Sequence, residues 1–265
     1  LYVTVKVPET MAAGDYPIEI VLIPETGEEV TASIILSVLN AVLPPQSLIY
    51  TQWLHADCIA NAYDVEIFSE EHWEYIENYI KCAAQNGVNA ILTPVFTPPL
   101  DTEVGGERPT VQLVDVMRDG DGWHFGFRRL HRWLSLCERC GIRYFEISHF
   151  FTQWGAEHAP KIIGTVNGET KKLFGWETDS LSEEYIGFLR AFLRAFLAEM
   201  KSAGLDKRCI FHISDEPDMK HLERYRAVKE KLSDLLDGYF TADALSDFEF
   251  YRTGAVKAPI PSCDH

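Results

Sequence analysis

Asp215 and Glu216 stand side by side in FHISDEPDMKHLERY, residues 211–225, directly after an apolar run of β type and directly before Pro217. Adjacent carboxylates repel, so holding both ionised is unfavourable unless each is well solvated. Held together, one stays protonated near neutral pH while its neighbour stays charged. That division suits cleavage of a glycosidic bond, which needs a proton donor for the leaving oxygen and an anion facing positive charge on the sugar. A regular strand throws consecutive residues to opposite faces, so the two acids meet one ligand only where the strand ends or bends. Pro217 predicts such an end, because it offers no N–H and biases Glu216 toward an extended backbone. Helix capping is the bland use of an acid here, and Asp218, just before MKHLERY, is better placed for it.

Strands and helices alternate around the pair from Ser47 onward. SLIYTQWLH reads as a strand, and SEEHWEYIENYIKCAAQNG as a helix capped by Ser69 and Gly87. VNAILTPVF is the next strand; a long loop over 97–122 precedes the helix FGFRRLHRWLSLCERCG and strand IRYFEISHF. A second long loop, 151–179, leads to the helix LSEEYIGFLRAFLRAFLAEMKSAG and strand RCIFHIS. Helix MKHLERYRAVKEKLSDLL, strand GYFTADALS and a further strand near VKAPIP complete the series. Such alternation predicts a parallel sheet of the α/β class, best as a (β/α)8 TIM-type barrel, incomplete in this chain. A doubly wound open sheet is the alternative, though neither G-x-G-x-x-G nor a phosphate-binding loop is present.

In a barrel, chemistry gathers at the C-terminal ends of the strands and in the loops after them. Those ends carry Trp53, His55, His149 and Asp243, and the second long loop carries Trp154 and Trp176. The three tryptophans are candidate faces for sugar rings, with core packing as the competing use. His55 and His149 are candidates for sugar hydroxyls, and Asp243 for substrate contact or support of the site. His212 reads as a packed, hydrogen-bonded histidine. A metal-dependent hydrolase would need a set such as His212, Asp215 and His221, whose spacing matches no strong ligand motif; no metal and no cofactor is expected.

Residues 1–45 are of another kind. LYVTVKVPE, PIEIVLIPE and VTASIILSVLN read as three meandering strands, the end of an N-terminal β-sandwich, closed by Pro44-Pro45. The barrel is then expected over 46–265. Leu1 opens without an initiator Met and the chain stops at Asp264-His265, which fits a fragment.

The 265 residues carry a formal net charge of −16, which disfavours nucleic acid and anionic lipid as partners. No apolar run reaches the length of a membrane span. Cys58, Cys82, Cys137, Cys140, Cys209 and Cys263 form no disulfide framework, and the single C-x-x-C at Cys137 and Cys140 lies in a helical pattern. Scattered thiols favour a reducing, cytoplasmic compartment; secretion would require a leader before Leu1. Oligomeric state leaves no mark on the sequence.

The chain resembles the family 123 glycoside hydrolases and the related proteins grouped as domain of unknown function 4091. The residues that carry this are HISDEP (212–217), RPTVQLVDV (108–116), YFEISHFFTQWGAEHAP (144–160), LFGWET (173–178) and TADALSDFEFY (241–251). The resemblance implies a β-sandwich before a (β/α)8 barrel and exo-acting β-N-acetylgalactosaminidase activity. Its substrate would be a glycan, glycolipid or glycoprotein ending in N-acetylgalactosamine. It also implies substrate-assisted catalysis, in which the sugar's 2-acetamido group is the nucleophile. On that pattern Asp215 orients the acetamido group, and Glu216 protonates the leaving oxygen and then activates water. A non-catalytic glycan-binding barrel, or a glycosidase of other sugar specificity, is the alternative.

Overall fold

The structure, a computed structural model, describes residues 3–44, 46–120 and 122–262. Pro45, half of the expected boundary, and Cys263, Asp264 and His265 lie outside the described residues. The chain divides into two units, Leu1–Ser47 and Leu48–His265.

In the first unit β1 (Gly14–Leu22) and β2 (Val30–Val38) pair antiparallel along their whole length, with Ile18 opposite Ile34. Gly27 in the connection takes φ +110°, a left-handed conformation that glycine adopts without steric cost. The expected first strand, LYVTVKVPE, is not seen: its described part forms no strand. Alternation makes a strand only where a neighbour pairs its backbone, and among the described residues none pairs this segment.

The second unit begins with β3 (Thr51–Gln52), α1 (Ala56–Tyr63) and α2 (Glu70–Gln85). The Ser69 hydroxyl caps α2 by accepting from the His72 N–H at 3.2 Å, and Gly87 follows the helix at φ +93°. Next come β4 (Ala90–Thr93), β5 (Asp115–Asp119), β6 (Gly122–Gly126), α3 (Arg128–Cys140) and β7 (Tyr144–Ile147). Cys137 and Cys140 both belong to α3, as its helical pattern requires. They are followed by β8 (Ile162–Val166), β9 (Glu169–Phe174), α4 (Glu183–Ser202) and β10 (Cys209–Phe211). A 3-10 turn (Met219–His221), capped by Asp218, opens α5 (Leu222–Leu236), and β11 (Phe240–Leu245), α6 (Phe248–Arg252) and β12 (Ala258–Pro261) end the series.

The six strands β3, β4, β7, β10, β11 and β12 form one parallel sheet in sequence order. Each new strand adds on the same side as the one before. A doubly wound sheet reverses direction at a switch point, and this one does not. The fold is mixed α/β with a curled parallel sheet, a partial barrel.

The two long loops are not loops throughout. The first contributes β5 and opens β6, which also takes Phe125 and Gly126 from the expected start of α3, and the second contributes β8–β9. These two antiparallel hairpins join through the parallel β5–β8 pair into a four-stranded sheet. The β8–β9 turn is Asn167-Gly168, at φ +52° and +83°, the left-handed pair that a two-residue hairpin prefers. This sheet packs on α4 through aromatic rings. The buried Phe188 ring lies 4.9 Å from Trp123, 4.9 Å from Phe174, 5.6 Å from Phe96 and 5.8 Å from Phe125, between ring centres. Helix α4 presents Tyr185, Phe188, Phe192 and Phe196 at helical spacing on its buried face.

Phe188 thus joins the small sheet to the main core. Phe188→Ala is expected to lower unfolding free energy by roughly 3–5 kcal/mol, measured from the urea midpoint.

Candidate active site

Strand β10 ends at Phe211, and the six residues that follow, 212–217, are pinned from both sides. On one side the Ser214 hydroxyl donates to the Thr152 carbonyl at 2.9 Å, and the Trp154 N–H donates to the Asp215 carbonyl at 2.7 Å. On the other, the Ile213 N–H donates to Asp243 Oδ1 at 2.9 Å and the Glu216 N–H to the Ala244 carbonyl at 3.2 Å. Between these anchors Glu216 turns to φ +43°. The extended backbone expected before Pro217 is therefore not adopted. Left-handed backbone is uncommon for a residue with a Cβ and persists where surrounding contacts impose it. Here it breaks the in–out alternation of the strand.

Three more non-glycine residues of this mouth share that conformation: Asp101 at φ +55°, Trp154 at +62° and Ala156 at +57°. Gly155 lies among them at φ +143°, where an added Cβ would meet the His221 ring at 2.5 Å. Only a glycine lets the 151–156 turn pass so close to that ring.

The two acids differ in environment. Asp215 is 8 % exposed, whereas Glu216 is exposed. Burial, and after it the neighbouring Glu216 charge, push the Asp215 carboxyl up to about 7. It therefore exchanges its proton near neutrality. Asp101 also faces it electrostatically, and Asp101 Oδ2 lies 2.9 Å from His55 Nε2. Burial, with the Arg108 charge behind it, lowers the His55 pKa. Arg108 grips the Asp57 carboxylate in two-pronged fashion at 2.9 and 3.1 Å and donates to the Leu100 carbonyl at 3.1 Å, tying the Asp101 turn to α1.

Beneath the pair runs a buried polar network. His212 Nε2 lies 2.8 Å from Glu146 Oε1, and its Nδ1 3.4 Å from Asp243 Oδ1. The Trp53 indole N–H donates to Glu146 at 2.8 Å and Thr51 donates to its other oxygen, while the Tyr225 hydroxyl donates to Asp243. Burial opposes charge on His212, but the Asp243 and Glu146 carboxylates outweigh it and raise the imidazole to about 10. The Glu146 carboxyl is opposed by its own burial and is nevertheless lowered, chiefly by His212.

Of the residues expected at the site, Asp215, Glu216, Trp154, His55, Trp53, His149 and Asp243 come together around this mouth and its floor. Trp154 is 44 % exposed and touches Asp215 through its backbone. The Trp53 ring stands edge-on to His149, 5.5 Å away, and His149 stacks on His212 at 4.5 Å. His149 and Asp243 are fully buried, a position that favours support of the site over direct contact with a ligand. Neither His149 nitrogen has a hydrogen-bond partner, and burial lowers its pKa well below the usual value. Trp176 sits apart from this group, half-buried against His158, with its indole N–H donating to the Gly106 carbonyl at 2.7 Å.

The metal set of His212, Asp215 and His221 is not assembled, and His221 Nδ1 instead lies 3.0 Å from Asp218 Oδ1. Among the described residues, His149, His212 and Asp243 are the group whose ligand atoms all lie within 4.8 Å of one another. His212 Nε2 lies 2.8 Å from Glu146 Oε1 and Nδ1 3.4 Å from Asp243 Oδ1, so a metal at this group would compete with two carboxylates for the ring. Two residues of the floor were absent from the sequence expectations, Glu146 and Tyr225. An isolated acid inside the apolar strand IRYFEISHF was the available signal for the first.

Residues 53–265 match the glycoside hydrolase 123 catalytic domain. The chain belongs to this family. Among solved structures, a family 123 glycoside hydrolase from Clostridium perfringens, described for glycolipid glycan hydrolysis, superposes with a TM-score of 0.69 at 17% identity. The alignment covers 98% of this chain and 46% of that one, so the present chain spans less than half the length of that relative. Among curated proteins no sequence match is found. No helix of the described residues is long and apolar enough to cross a membrane.

The raised Asp215 pKa has a consequence for stability. The folded protein keeps a proton that the unfolded chain releases near the ordinary value of 3.8, so stability falls as pH rises from there through about 7. Asp215→Asn has no proton to lose. Its urea midpoint is expected to equal the parent's at about pH 4 and to exceed it at about pH 8, by on the order of 2–4 kcal/mol in unfolding free energy.

Proposed function

We propose that the protein is a retaining exo-glycosidase that releases terminal β-linked N-acetylgalactosamine with assistance from the sugar's own 2-acetamido group. The observation that carries this reading is the asymmetric acid pair: Asp215 buried and titrating near neutrality, Glu216 exposed beside it, and a left-handed residue between strand and loop. Family membership supports glycosidic-bond cleavage and a carbohydrate substrate. The antiparallel pair β1–β2 supports, as a proposal, the end of an N-terminal β-sandwich over residues 1–45, and the curled parallel sheet supports closure into a (β/α)8 barrel.

In the proposed reaction the ionised Asp215 accepts a hydrogen bond from the acetamido N–H. This raises the electron density of the acetamido carbonyl oxygen, which attacks the anomeric carbon. The bond to the leaving oxygen breaks as Glu216 gives that oxygen its proton. The resulting oxazolinium ion is positively charged and faces the Asp215 carboxylate. Water then loses a proton to Glu216 and adds to the anomeric carbon, the oxazoline ring opens, and the configuration is retained after two inversions.

The positions suit these roles. Glu216 is exposed, where an aglycone's leaving oxygen can reach it. An amide N–H arriving at the buried Asp215 favours the ionised form there. Trp154 is the proposed sugar platform, since its ring is exposed and its backbone is bonded to Asp215. His55 and Trp53 are proposed as further substrate contacts.

A chromogenic N-acetyl-β-galactosaminide tests this reading. Turnover is expected, with plain β-galactoside left uncleaved and kcat reduced by roughly 10²–10⁴ in Glu216→Gln and Asp215→Asn. Equal cleavage of the plain galactoside would exclude acetamido assistance. Binding without turnover would instead favour a glycan-binding protein.

A further inference from the structure

His212 lies three residues before Asp215 on the same segment and is fully buried. The groups packed around it come from several elements. Glu146 on β7 faces Nε2, Asp243 on β11 faces Nδ1, and the ring of His149, beyond the end of β7, covers its face. Each carboxylate is fixed in turn, Glu146 by Trp53 and Thr51 and Asp243 by Tyr225 of α5 and the Ile213 N–H. Lys229, also on α5, feels the Asp243 charge and donates to the Ala255 carbonyl.

Both contacts are ion-pair distances rather than aligned hydrogen bonds, so what the ring can offer the two carboxylates is its charge. Two buried carboxylates facing one ring therefore call for the charged form. Four charges act most strongly on Asp215: Glu216, His212, Asp243 and Asp101. Three are acids, and His212 is the only cation among them.

We propose that His212 is the positioning residue of the reaction, a cation locked between Glu146 and Asp243 whose field allows Asp215 to ionise and receive the sugar's amide. The proposal rests on the assignment of Asp215 to the acetamido group. Without His212, the charges left among these four, Glu216, Asp243 and Asp101, would all favour the proton on Asp215. Glu146 further links this cation to the Trp53 indole, so a sugar settling against Trp53 would press on the same network.

His212→Gln keeps a polar side chain but removes the charge. The acid limb of the kcat/KM–pH profile is expected to move up by about one pH unit, with roughly tenfold loss below the limb and little above it. A structural role alone would lower kcat/KM at every pH without moving the limb, and that result would overturn the proposal. Two measurements do not depend on turnover. In the unaltered protein, imidazole nitrogen NMR is expected to show His212 doubly protonated at about pH 8; a ring neutral there would overturn it, whether or not the variant folds. In folded His212→Gln, carboxyl-carbon NMR is expected to show Asp215 titrating higher than in the parent. If that shift appears while no N-acetylhexosaminide is cleaved, the substrate assignment fails and the action of His212 on Asp215 stands.

Discussion

Consecutive residues of a strand point to opposite faces, yet the proposed reaction has Asp215 and Glu216 serve one ligand. The chain meets this constraint by leaving strand geometry between them. Glu216 takes a left-handed backbone, and its N–H reaches the Ala244 carbonyl on β11 while the Asp215 carbonyl accepts from Trp154. A residue with a Cβ in that conformation costs on the order of 1–3 kcal/mol, so neighbours must over-determine it. They do so from opposite sides, one in the sheet and one in the loop after β7. Asp101, Trp154 and Ala156 repeat the conformation around the same mouth. Four of the seven non-glycine residues in this conformation therefore lie where the acids are presented; Asp64, Phe68 and Asn167 adopt it elsewhere in the second unit.

The floor obeys a second constraint. Strands of a parallel sheet covered on both faces are ordinarily near-continuous apolar runs, and β4 follows that rule with all four residues buried. Strands β7 and β11 break it with Glu146 and Asp243. Buried carboxylates are tolerated only when paired and hydrogen-bonded. His212 supplies the charge, and Thr51, Trp53, Tyr225 and the Ile213 N–H supply the remaining bonds. Removing one member of such a set leaves an uncompensated ion, at about 3–5 kcal/mol. An apolar core would be cheaper to build here, so the network is better explained by what it does to Asp215 than by stability.

Much of this was legible in residues close together in sequence. HISDEP marks the acids, six strand segments separated by helices give the parallel sheet, and Ser69 and Asp218 cap where their types predict. What could not be read depends on partners far along the chain. Glu146 meets His212 across 66 residues, and nothing near IRYFEISHF says which acid or base it faces. LYVTVKVPE alternates correctly but has no strand beside it among the described residues. The Pro217 bias toward extended backbone is a local preference, overruled by two hydrogen bonds from distant segments. The β8–β9 hairpin is a different case: IIGTV and ETKKLF flank an Asn-Gly turn, so it was legible locally although its segment was expected to be a loop.

That hairpin bears on how the mouth is held. Free segments as long as 97–122 and 151–179 would lose much conformational entropy on ordering, at about 1–2 kcal/mol per residue for the backbone alone. Folding parts of both into one four-stranded sheet offsets that loss with ladder bonds, and the ring packing of Trp123, Phe125 and Phe174 on α4 anchors the sheet to the core. Strand β5 carries the continuation of the loop that holds Asp101, and β8 the continuation of the turn that holds Trp154. Their parallel pairing at Met117–Thr165 and Arg118–Val166 therefore fixes the two flanks of the acid pair to each other. The Gln153 side chain adds a direct tie, donating to the Thr102 carbonyl at 2.6 Å. The loops that border the proposed sugar site are thus tied to each other by this sheet and by the Gln153 bond, and to Asp215 by the Trp154 N–H.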